Sequence, residues 1–169
     1  MGNVILIGFM GCGKSSVGVK LSYRLRKAVI DTDKEIEKEE QRSISDIFAA
    51  EGEAYFRDKE TECLRRLIET ADNKIISVGG GLPMRDVNRE LMHKLGQVVY
   101  LRAKPETVYE RLKHDTTRPL LRGDNPQEKI KTLMAQREQN YEKAADVIVD
   151  VDGKEFEKIV NEIERQIQR

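Results

Sequence analysis

Short runs of β-branched and other apolar residues alternate along the chain with longer polar segments, in which apolar positions recur every three or four residues. The runs lie at residues 4–7, 28–30, 75–78, 98–101 and 147–151. Continuous apolar runs of this length, separated by helices, are typical of parallel strands that are covered on both faces. The pattern predicts a three-layer α/β fold, with a central five-stranded parallel sheet flanked by helices.

Residues that favour helix caps mark several of the predicted helix ends. Gly96 follows an amphipathic segment, where we expect a left-handed C-terminal cap. Asn125 precedes Pro126, and Glu128 lies three residues after Asn125, which is the pattern of a capping box with a proline in the first turn. Apolar positions at helical spacing predict a last helix over residues 154–168.

Composition and charge narrow the class of protein. The chain has 169 residues, which is about one domain, and its 30 basic and 30 acidic side chains cancel. A net charge of zero argues against binding to nucleic acid or to a membrane surface. No apolar run approaches the ~18 residues of a membrane span, and two cysteines are too few for a disulfide scaffold. We therefore expect a cytoplasmic, single-domain monomer whose partners are small molecules.

The segment Gly8–Ser15, directly after the first strand, matches the pattern G-x-x-x-x-G-K-[ST] at every fixed position. Glycines let successive backbone N–H groups point at phosphate oxygens, and the N-terminus of the following helix adds positive potential. Lys14 supplies a charge to the β- and γ-phosphates, and the Ser15 hydroxyl can bind Mg²⁺. The alternative is a glycine-rich turn with an accidental Gly-Lys-Ser. The flanking strand and helix favour a nucleoside triphosphate site, in which Cys12 is a small filler.

The second strand runs directly into Asp31-Thr32-Asp33, whereas the third strand ends in glycines without a carboxylate. The carboxyl ends of parallel strands face the ligand crevice. Because the two aspartates are two residues apart on an extended chain, we expect both to project to the same side. One can then support Mg²⁺ through water while the other reaches an acceptor hydroxyl. The alternative is that Asp31 or Asp33 caps the helix that starts near Lys34.

Two arginines fall on the apolar faces of predicted helices. Arg137 lies on the stripe of the helix that starts near Gln127, and Arg57 lies three residues before Glu60 at the start of another stripe. A buried charge is costly unless it is paired, so we expect Glu60 to hold Arg57 with its guanidinium turned toward an anionic ligand. The alternative is that both arginines stretch over apolar surface to reach water. The three glycines at 79–81 favour a ligand site, because bare backbone allows close approach.

Residues 114–124 have neither a helical nor a strand period, and a loop this long in a compact domain is more often functional than idle. Arg118 precedes Pro119 in this loop. An arginine brought in by a closing loop can stabilise charge on a transferring phosphoryl group. Closure also excludes water, which competes as an acceptor. We therefore expect a catalytic role for Arg118.

Taken together, the motifs resemble those of the shikimate kinase family over essentially the whole chain. They are Gly-Phe-Met-Gly-Cys-Gly-Lys-Ser-Ser at 8–16, Asp-Thr-Asp at 31–33, Phe-Arg at 56–57, Gly-Gly-Gly at 79–81 and Thr-Arg-Pro-Leu-Leu at 117–121. The resemblance implies a P-loop kinase with a fold like that of the nucleoside monophosphate kinases. It implies that ATP, with Mg²⁺, phosphorylates the 3-hydroxyl of shikimate on the route to aromatic amino acids. It also implies one kinase domain over residues 1–169, with a substrate-binding region at about 32–60 and a lid at about 113–125.

The resemblance implies roles for individual residues. Those implied to bind the nucleotide are Gly11, Cys12, Gly13, Lys14, Ser15, Ser16, Arg118 and, against the adenine, Arg111. Those implied to bind shikimate are Asp33, Phe48, Phe56, Arg57, Gly79, Gly80, Gly81 and Arg137, with the two arginines on its carboxylate and the two phenylalanines as an apolar wall. Lys14, Asp33 and Arg118 would be catalytic, with Asp33 holding the reacting hydroxyl. Ser15 would bind Mg²⁺ directly and Asp31 through water.

One departure from the family pattern concerns the adenine. The family often has a proline near the loop between the last strand and the last helix, on the second face of the adenine. Here no proline follows Pro126, and residues 151–154 occupy that region. The phosphoryl-transfer motifs themselves are intact.

Two further interpretations compete with this one. A gluconate kinase or a nucleotide kinase of the same fold would share the phosphate loop, and the paired arginines favour an acceptor that carries a carboxylate over a nucleoside. A nucleotide-binding regulator without catalysis would need neither Arg57 nor Arg137. An acceptor-dependent assay distinguishes all three.

Overall fold

A five-stranded parallel sheet forms the centre of the computed structural model, which describes residues 2–114 and 123–167. The strands are β1 (Asn3–Ile7), β2 (Ala28–Asp31), β3 (Lys74–Ser77), β4 (Gly96–Arg102) and β5 (Val147–Asp150). Their order across the sheet is β2-β3-β1-β4-β5, and every neighbouring pair is parallel. The predicted sheet is therefore confirmed in strand number and direction.

Helices cover both faces of this sheet. In the described residues they are α1 (Lys14–Leu25), α2 (Thr32–Glu40), α3 (Ile44–Glu51), α4 (Glu53–Thr70), α5 (Asp86–Leu95), α6 (Pro105–Leu112), α7 (Pro126–Ala144) and α8 (Phe156–Ile167). Helices α1 and α8 pack together on one side, while α4, α5 and α7 form a second contacting group on the other. The predicted three-layer α/β arrangement is confirmed.

The burial of each strand follows its place in the sheet. All five residues of the central strand β1 are buried, as its continuous apolar run predicts. The edge strand β5 alternates between buried and exposed residues, with Val147 and Val149 inside. The central strand is therefore covered on both faces and the edge strand on one, and the segment that follows β1 begins at the middle of the sheet.

The predicted left-handed cap at Gly96 is wrong. Its φ of 172° and ψ of −161° are extended backbone, and the residue begins β4 directly after α5. A Cβ on Gly96 would collide with the carbonyl oxygen of Asn3 in the neighbouring strand β1. The glycine is therefore required by close strand packing and not by a cap.

The predicted capping box at Asn125 is also wrong, although Pro126 occupies the first turn of α7 as expected. Asn125 has a φ of 56° and a ψ of 56°, and its side chain makes no cap hydrogen bond with any described residue. In this left-handed conformation its backbone carbonyl instead accepts from the Lys129 N–H at 3.2 Å. The last helix begins two residues later than predicted, because the Lys154 N–H donates to the Val151 carbonyl in a turn.

Candidate active site

The predicted phosphate loop connects the central strand β1 to α1. Gly11 and Gly13 have φ values of 77° and 99°, which lie in the left-handed region that glycine adopts without strain. Gly13 is also the N-cap of α1, so the helix begins at Lys14 and its first backbone N–H groups face the loop. The local sequence thus produces a helix N-terminus that favours anions. Ser15 and Ser16 are exposed in this first turn.

The ammonium of Lys14 lies over the inside of the loop. Its Nζ donates to the Gly8 carbonyl at 2.5 Å and to the Phe9 carbonyl at 3.3 Å. Cys12 is 1% exposed, and its Sγ lies 3.9 Å from Nζ. The thiol fills the interior of the loop, as predicted for a small filler.

The prediction that Asp31 and Asp33 share an extended chain is wrong. Asp31 ends β2 and is the N-cap of α2, where its Oδ1 accepts from the Asp33 N–H at 2.9 Å and from the Lys34 N–H at 3.2 Å. Asp33 therefore lies in the first helical turn. The capping alternative is correct for Asp31, and within the described residues its Oδ2 makes no hydrogen bond.

Asp33 lies between Lys14 of the phosphate loop and Arg57 of α4. Its Oδ1 is buried without a hydrogen-bond partner among residues 2–114 and 123–167. Burial raises the pKa of Asp33, and the nearby Asp31 carboxylate raises it further. The charges of Lys14 and Arg57 oppose this rise in pKa. One carboxylate is thus within electrostatic reach of both cations.

The three glycines after β3 each lie against a different group. A Cβ on Gly79 would be 2.9 Å from Asp33 Oδ1, and a Cβ on Gly80 would be 3.1 Å from Arg137 Nη1 and 3.7 Å from the Gly8 carbonyl oxygen. A Cβ on Gly81 would be 2.6 Å from two guanidinium nitrogens of Arg57. The bare backbone of this segment, which we call the glycine loop (79–81), therefore joins the carboxylate, the phosphate loop and both arginines.

The predicted pairing of Arg57 with Glu60 is confirmed. Arg57 Nη1 donates to Glu60 Oε1 at 2.8 Å, and the Glu60 side chain is fully buried. Burial raises the pKa of Glu60 to about 7 against the opposing charge of Arg57, and the neighbouring Asp33 adds to the rise. The pair holds the guanidinium beside the glycine loop.

Arg137 reaches the same place from α7. Its guanidinium carbon lies 5.6 Å from the centroid of the Phe9 ring, and its Nη1 is beside Gly80. The side chain therefore turns toward the glycine loop. Two arginines from different helices converge on one segment of bare backbone.

An aromatic pair borders the Arg57 side of the site. The rings of Phe48 and Phe56 have centroids 5.0 Å apart and are tilted by 38°. The guanidinium carbon of Arg57 lies 5.5 Å from the Phe56 centroid. The two rings that the resemblance implies as an apolar wall thus lie together, one on α3 and one on α4.

Arg111 lies on the other side of the phosphate loop. Its guanidinium carbon is 5.2 Å from the centroid of Phe156, and its Nη1 is 2.5 Å from where a Cβ on Gly13 would stand. Nη1 is buried without a hydrogen-bond partner in the described part of the chain. The sequence predicts Phe156 only as part of the last helix, so its contact with Arg111 was missed.

Two further residues that contact the glycine loop region were missed. The hydroxyl of Tyr141 donates to the Gly80 carbonyl at 2.7 Å, and Asn88 Nδ2 donates to the Leu82 carbonyl at 2.9 Å. A sequence signal existed for Asn88, because it lies three and four residues before the buried Leu91 and Met92. A polar residue on that buried face requires hydrogen-bond partners.

The lid motif, a metal cluster and membrane-spanning helices are considered next. Arg118 and the rest of the motif at 117–121 lie outside the described residues. Across residues 2–114 and 123–167, no group of three or more His, Cys, Asp or Glu side chains could hold a metal ion. Among the described helices, none has both the length and the apolar character needed to cross a membrane.

The geometry defines a class of protein. A phosphate-binding loop leads into a helix at the centre of a parallel sheet, and two arginines converge on the glycine loop, which lies beside the phosphate loop at Gly80. This arrangement is that of a P-loop kinase.

Comparison with known proteins identifies the family. The family model for shikimate kinase matches residues 10–168. A curated shikimate kinase from Thermodesulfovibrio yellowstonii is 41% identical over 169 residues, which is 100% of this chain and 96% of that protein. The chain belongs to the shikimate kinase family, as its motifs predict.

Solved structures agree with this assignment. A shikimate kinase from Acinetobacter baumannii in complex with shikimate has a TM-score of 0.91 and 33% identity, covering 99% of this chain and 93% of that one. A shikimate kinase from Aquifex aeolicus has a TM-score of 0.85 and 40% identity, covering 98% of this chain and 96% of that one. The protein is therefore an ATP-dependent kinase of small molecules, and its fold class and enzyme class are confirmed.

Proposed function

We propose that this protein transfers the γ-phosphoryl group of ATP to the 3-hydroxyl of shikimate, giving shikimate 3-phosphate and ADP in aromatic amino acid biosynthesis. The observation that carries the proposal is the position of Asp33 between the two halves of the site. The charge of Lys14 on the phosphate loop and the charge of Arg57 beside the glycine loop both lower the pKa of Asp33. A hydroxyl bound at Asp33 is therefore next to both phosphate and acceptor sites.

The phosphate loop supports the nucleotide half of the reaction. We assign the triphosphate to the backbone of Gly11–Ser16 and to the Lys14 ammonium, which already faces the interior of the loop. Arg111 borders this loop at Gly13 and is assigned to the adenine. The Phe156 ring lies on the guanidinium of Arg111, in the region where the family often has a proline.

The oxygens of Ser15 and Asp31 fit a magnesium ion. Mg²⁺ prefers hard oxygen ligands, keeps several waters and binds through one or two protein groups plus substrate phosphates. The Ser15 hydroxyl is exposed at the loop, and Asp31 uses Oδ1 for capping, so its Oδ2 is suited to a water of the ion. Ser15 and Asp31 would hold the ion, which would supply positive charge against the charge that develops on the transferred phosphoryl group.

The two arginines support an acceptor with a carboxylate. Arg57 and Arg137 both lie against the glycine loop, and guanidinium groups bind carboxylates through paired hydrogen bonds. Glu60 holds Arg57 in place from within the core. Phe48 and Phe56 are assigned to the apolar side of the ring.

Asp33 is assigned to the reacting hydroxyl. Its raised pKa makes the carboxylate a better proton acceptor than an exposed aspartate. In a loose phosphoryl-transfer transition state, orientation of the hydroxyl contributes more than early removal of its proton. Asp33→Asn is therefore expected to lower kcat far more than it raises KM for shikimate.

The remaining parts of the proposal concern Arg118, the regions of the kinase domain and the state of the protein in the cell. We propose that Arg118 stabilises the transferring phosphoryl group, within a lid at about 113–125 of a single kinase domain. We also propose a substrate-binding region at about 32–60. The protein is proposed to act as a cytoplasmic monomer that binds neither nucleic acid nor membranes.

An acceptor panel tests the activity. ADP formation is measured with ATP, Mg²⁺ and shikimate, gluconate or AMP, and the product is identified by ³¹P and ¹H NMR. We expect turnover only with shikimate and a phosphate on the 3-oxygen. Turnover with gluconate or AMP alone would reassign the substrate, and ATP binding without acceptor-dependent turnover would indicate a regulator.

A further inference from the structure

Asn88 is a fully buried amide in α5, and no role in the proposed reaction has been assigned to it above. It lies in α5 on the same face as the buried Leu91 and Met92. A buried amide is unfavourable unless its donors and acceptor find partners. The partners of Asn88 therefore show which parts of the fold it connects.

Both ends of the Asn88 amide have partners. Nδ2 donates to the Leu82 carbonyl at 2.9 Å, and Oδ1 accepts from the Thr61 hydroxyl at 2.7 Å. Because carbonyl oxygens only accept, this pattern fixes the orientation of the amide. Asn88 thus connects the 3₁₀ turn Leu82–Met84 to helix α4.

The two partners lie next to the two groups that are assigned to the acceptor. Leu82 directly follows Gly81, whose backbone lies against the Arg57 guanidinium. Thr61 is one helical turn after Arg57, and its hydroxyl oxygen lies 3.2 Å from the Arg57 carbonyl oxygen. The amide is therefore a crosslink between the glycine loop and the turn of helix that carries Arg57.

We propose that Asn88 is a positioning residue for the acceptor, which sets the spacing between Gly81 and Arg57 and thereby the affinity for the acceptor carboxylate. The inference rests on the proposed function, since it takes shikimate as the acceptor. Without the crosslink, the 3₁₀ turn and α4 are free to separate, and the carboxylate loses simultaneous contact with backbone and guanidinium. Within the described residues, no hydrogen bond joins Asn88 directly to the phosphate loop, so we expect ATP binding to change little.

The test is Asn88→Ala, with Asn3→Ala as a matched control. Asn3 is 5% exposed and has the same kind of partners, since it donates to the Ala71 and Leu95 carbonyls at the opposite end of the sheet. We expect Asn88→Ala to weaken shikimate binding about tenfold, by calorimetric Kd and by KM. KM for ATP should stay within about twofold of wild type. Asn3→Ala should lower Tm but leave both affinities unchanged.

A second variant keeps the proposal testable if Asn88→Ala does not fold. Thr61→Val preserves the side-chain shape but removes the hydroxyl that donates to Asn88. We expect it to weaken shikimate binding in the same direction. The double variant should be less impaired than the sum of the two single effects, because both remove one crosslink.

Three results would overturn the proposal. Unchanged shikimate affinity in Asn88→Ala, with a fall in Tm like that of Asn3→Ala, would make the residue merely structural. Equal losses for ATP and shikimate would indicate general distortion. If the losses of shikimate affinity in Asn88→Ala and Thr61→Val added up in the double variant, the two residues would not form one crosslink. Failure of the wild-type protein to bind or phosphorylate shikimate would instead contradict the proposed function.

Discussion

The backbone of Gly81 lies directly against the guanidinium of Arg57, so closely that a Cβ on Gly81 would be 2.6 Å from both Nη1 and Nη2. The same Nη1 donates to the buried Glu60. Because Glu60 restrains the guanidinium, Arg57 cannot move aside without losing its ion pair. In the proposed function, the spacing between this glycine and this arginine therefore sets how the acceptor carboxylate is held.

Gly81→Ala tests that spacing. We expect KM for shikimate to rise at least about tenfold, because the new methyl group displaces Arg57. KM for ATP should change by less than about twofold, since the phosphate loop is not contacted. Steady-state kinetics with each substrate varied in turn measure both effects.

Gly18→Ala is the control for this substitution. A Cβ on Gly18, in α1, would meet Leu6 Cδ1 at 3.6 Å, which is an ordinary contact. It should leave both KM values unchanged and raise stability by up to about 1 kcal/mol through helix propensity. Equal shikimate KM values in the two variants would contradict the role of Gly81.

The raised pKa of Glu60 makes stability depend on pH. Burial raises this pKa from 4.5 to about 7, so the folded protein keeps a proton that the unfolded chain releases. Between these values the folded state binds more protons, and stability falls as the pH rises. The stabilisation is complete below about pH 4.5 and is lost as the pH passes 7.

Glu60→Gln removes this titration. The difference in free energy of unfolding between wild type and variant should change by up to about 3 kcal/mol from pH 5 to pH 8, in favour of the variant at high pH. Urea unfolding at several pH values measures it. Glu62→Gln, at a side chain that is 58% exposed, is the control and should give a nearly constant difference. A constant difference for Glu60→Gln as well would refute the buried titration.

Tyr141→Phe tests the bond between α7 and the glycine loop. The hydroxyl donates to the Gly80 carbonyl at 2.7 Å, and burial raises the pKa of Tyr141 to about 12, which keeps the donor protonated. Its loss should lower the free energy of unfolding by about 1–3 kcal/mol. It should also raise KM for shikimate, because Gly80 is released.

Tyr100→Phe is the matched control, because the Tyr100 ring stacks on Tyr141 with a centroid distance of 5.1 Å. This variant keeps the ring contact and the bond to Gly80. We expect a stability change within about 0.5 kcal/mol and unchanged kinetics. If both variants lost the same stability, the hydroxyl of Tyr141 would not be the cause.

Arg137→Ala and Lys14→Met should separate the two halves of the site. Arg137→Ala should raise KM for shikimate roughly 10- to 100-fold, by loss of charged hydrogen bonds to the carboxylate, while ATP affinity stays near wild type.

Lys14→Met should lower kcat by about 10²-fold or more with the fold retained. Isothermal titration and steady-state kinetics distinguish these outcomes.

The control for the lysine is Lys20→Met on the exposed surface of α1, where Nζ is 3.9 Å from Glu157. It removes a charge from the same helix without touching the loop and should leave kcat unchanged. Equal losses of ATP and shikimate affinity in Arg137→Ala would refute its assignment to the acceptor.

Local patterns predicted the strands, the phosphate loop and the Arg57–Glu60 pair, because each depends on neighbours within a few residues. The same reasoning was wrong for Gly96, whose requirement comes from Asn3 in another strand. It was also wrong for the extended path through Asp33, because Asp31 caps a helix that starts at once. Each error concerns a contact or a conformation that the local pattern leaves open.

By itself, the sequence determined the α/β fold, the anion-binding loop and the residue types of the site, since hydrophobic period and glycine spacing are local properties. Only the tertiary structure decided how the distant segments meet. It put Tyr141 on Gly80, Asn88 between Leu82 and Thr61, and Arg111 on Phe156. Except for the bond from Asn88 to Leu82, six residues away, these contacts join residues far apart in the chain. Their geometry is set by how the helices pack on the sheet, which no local period encodes.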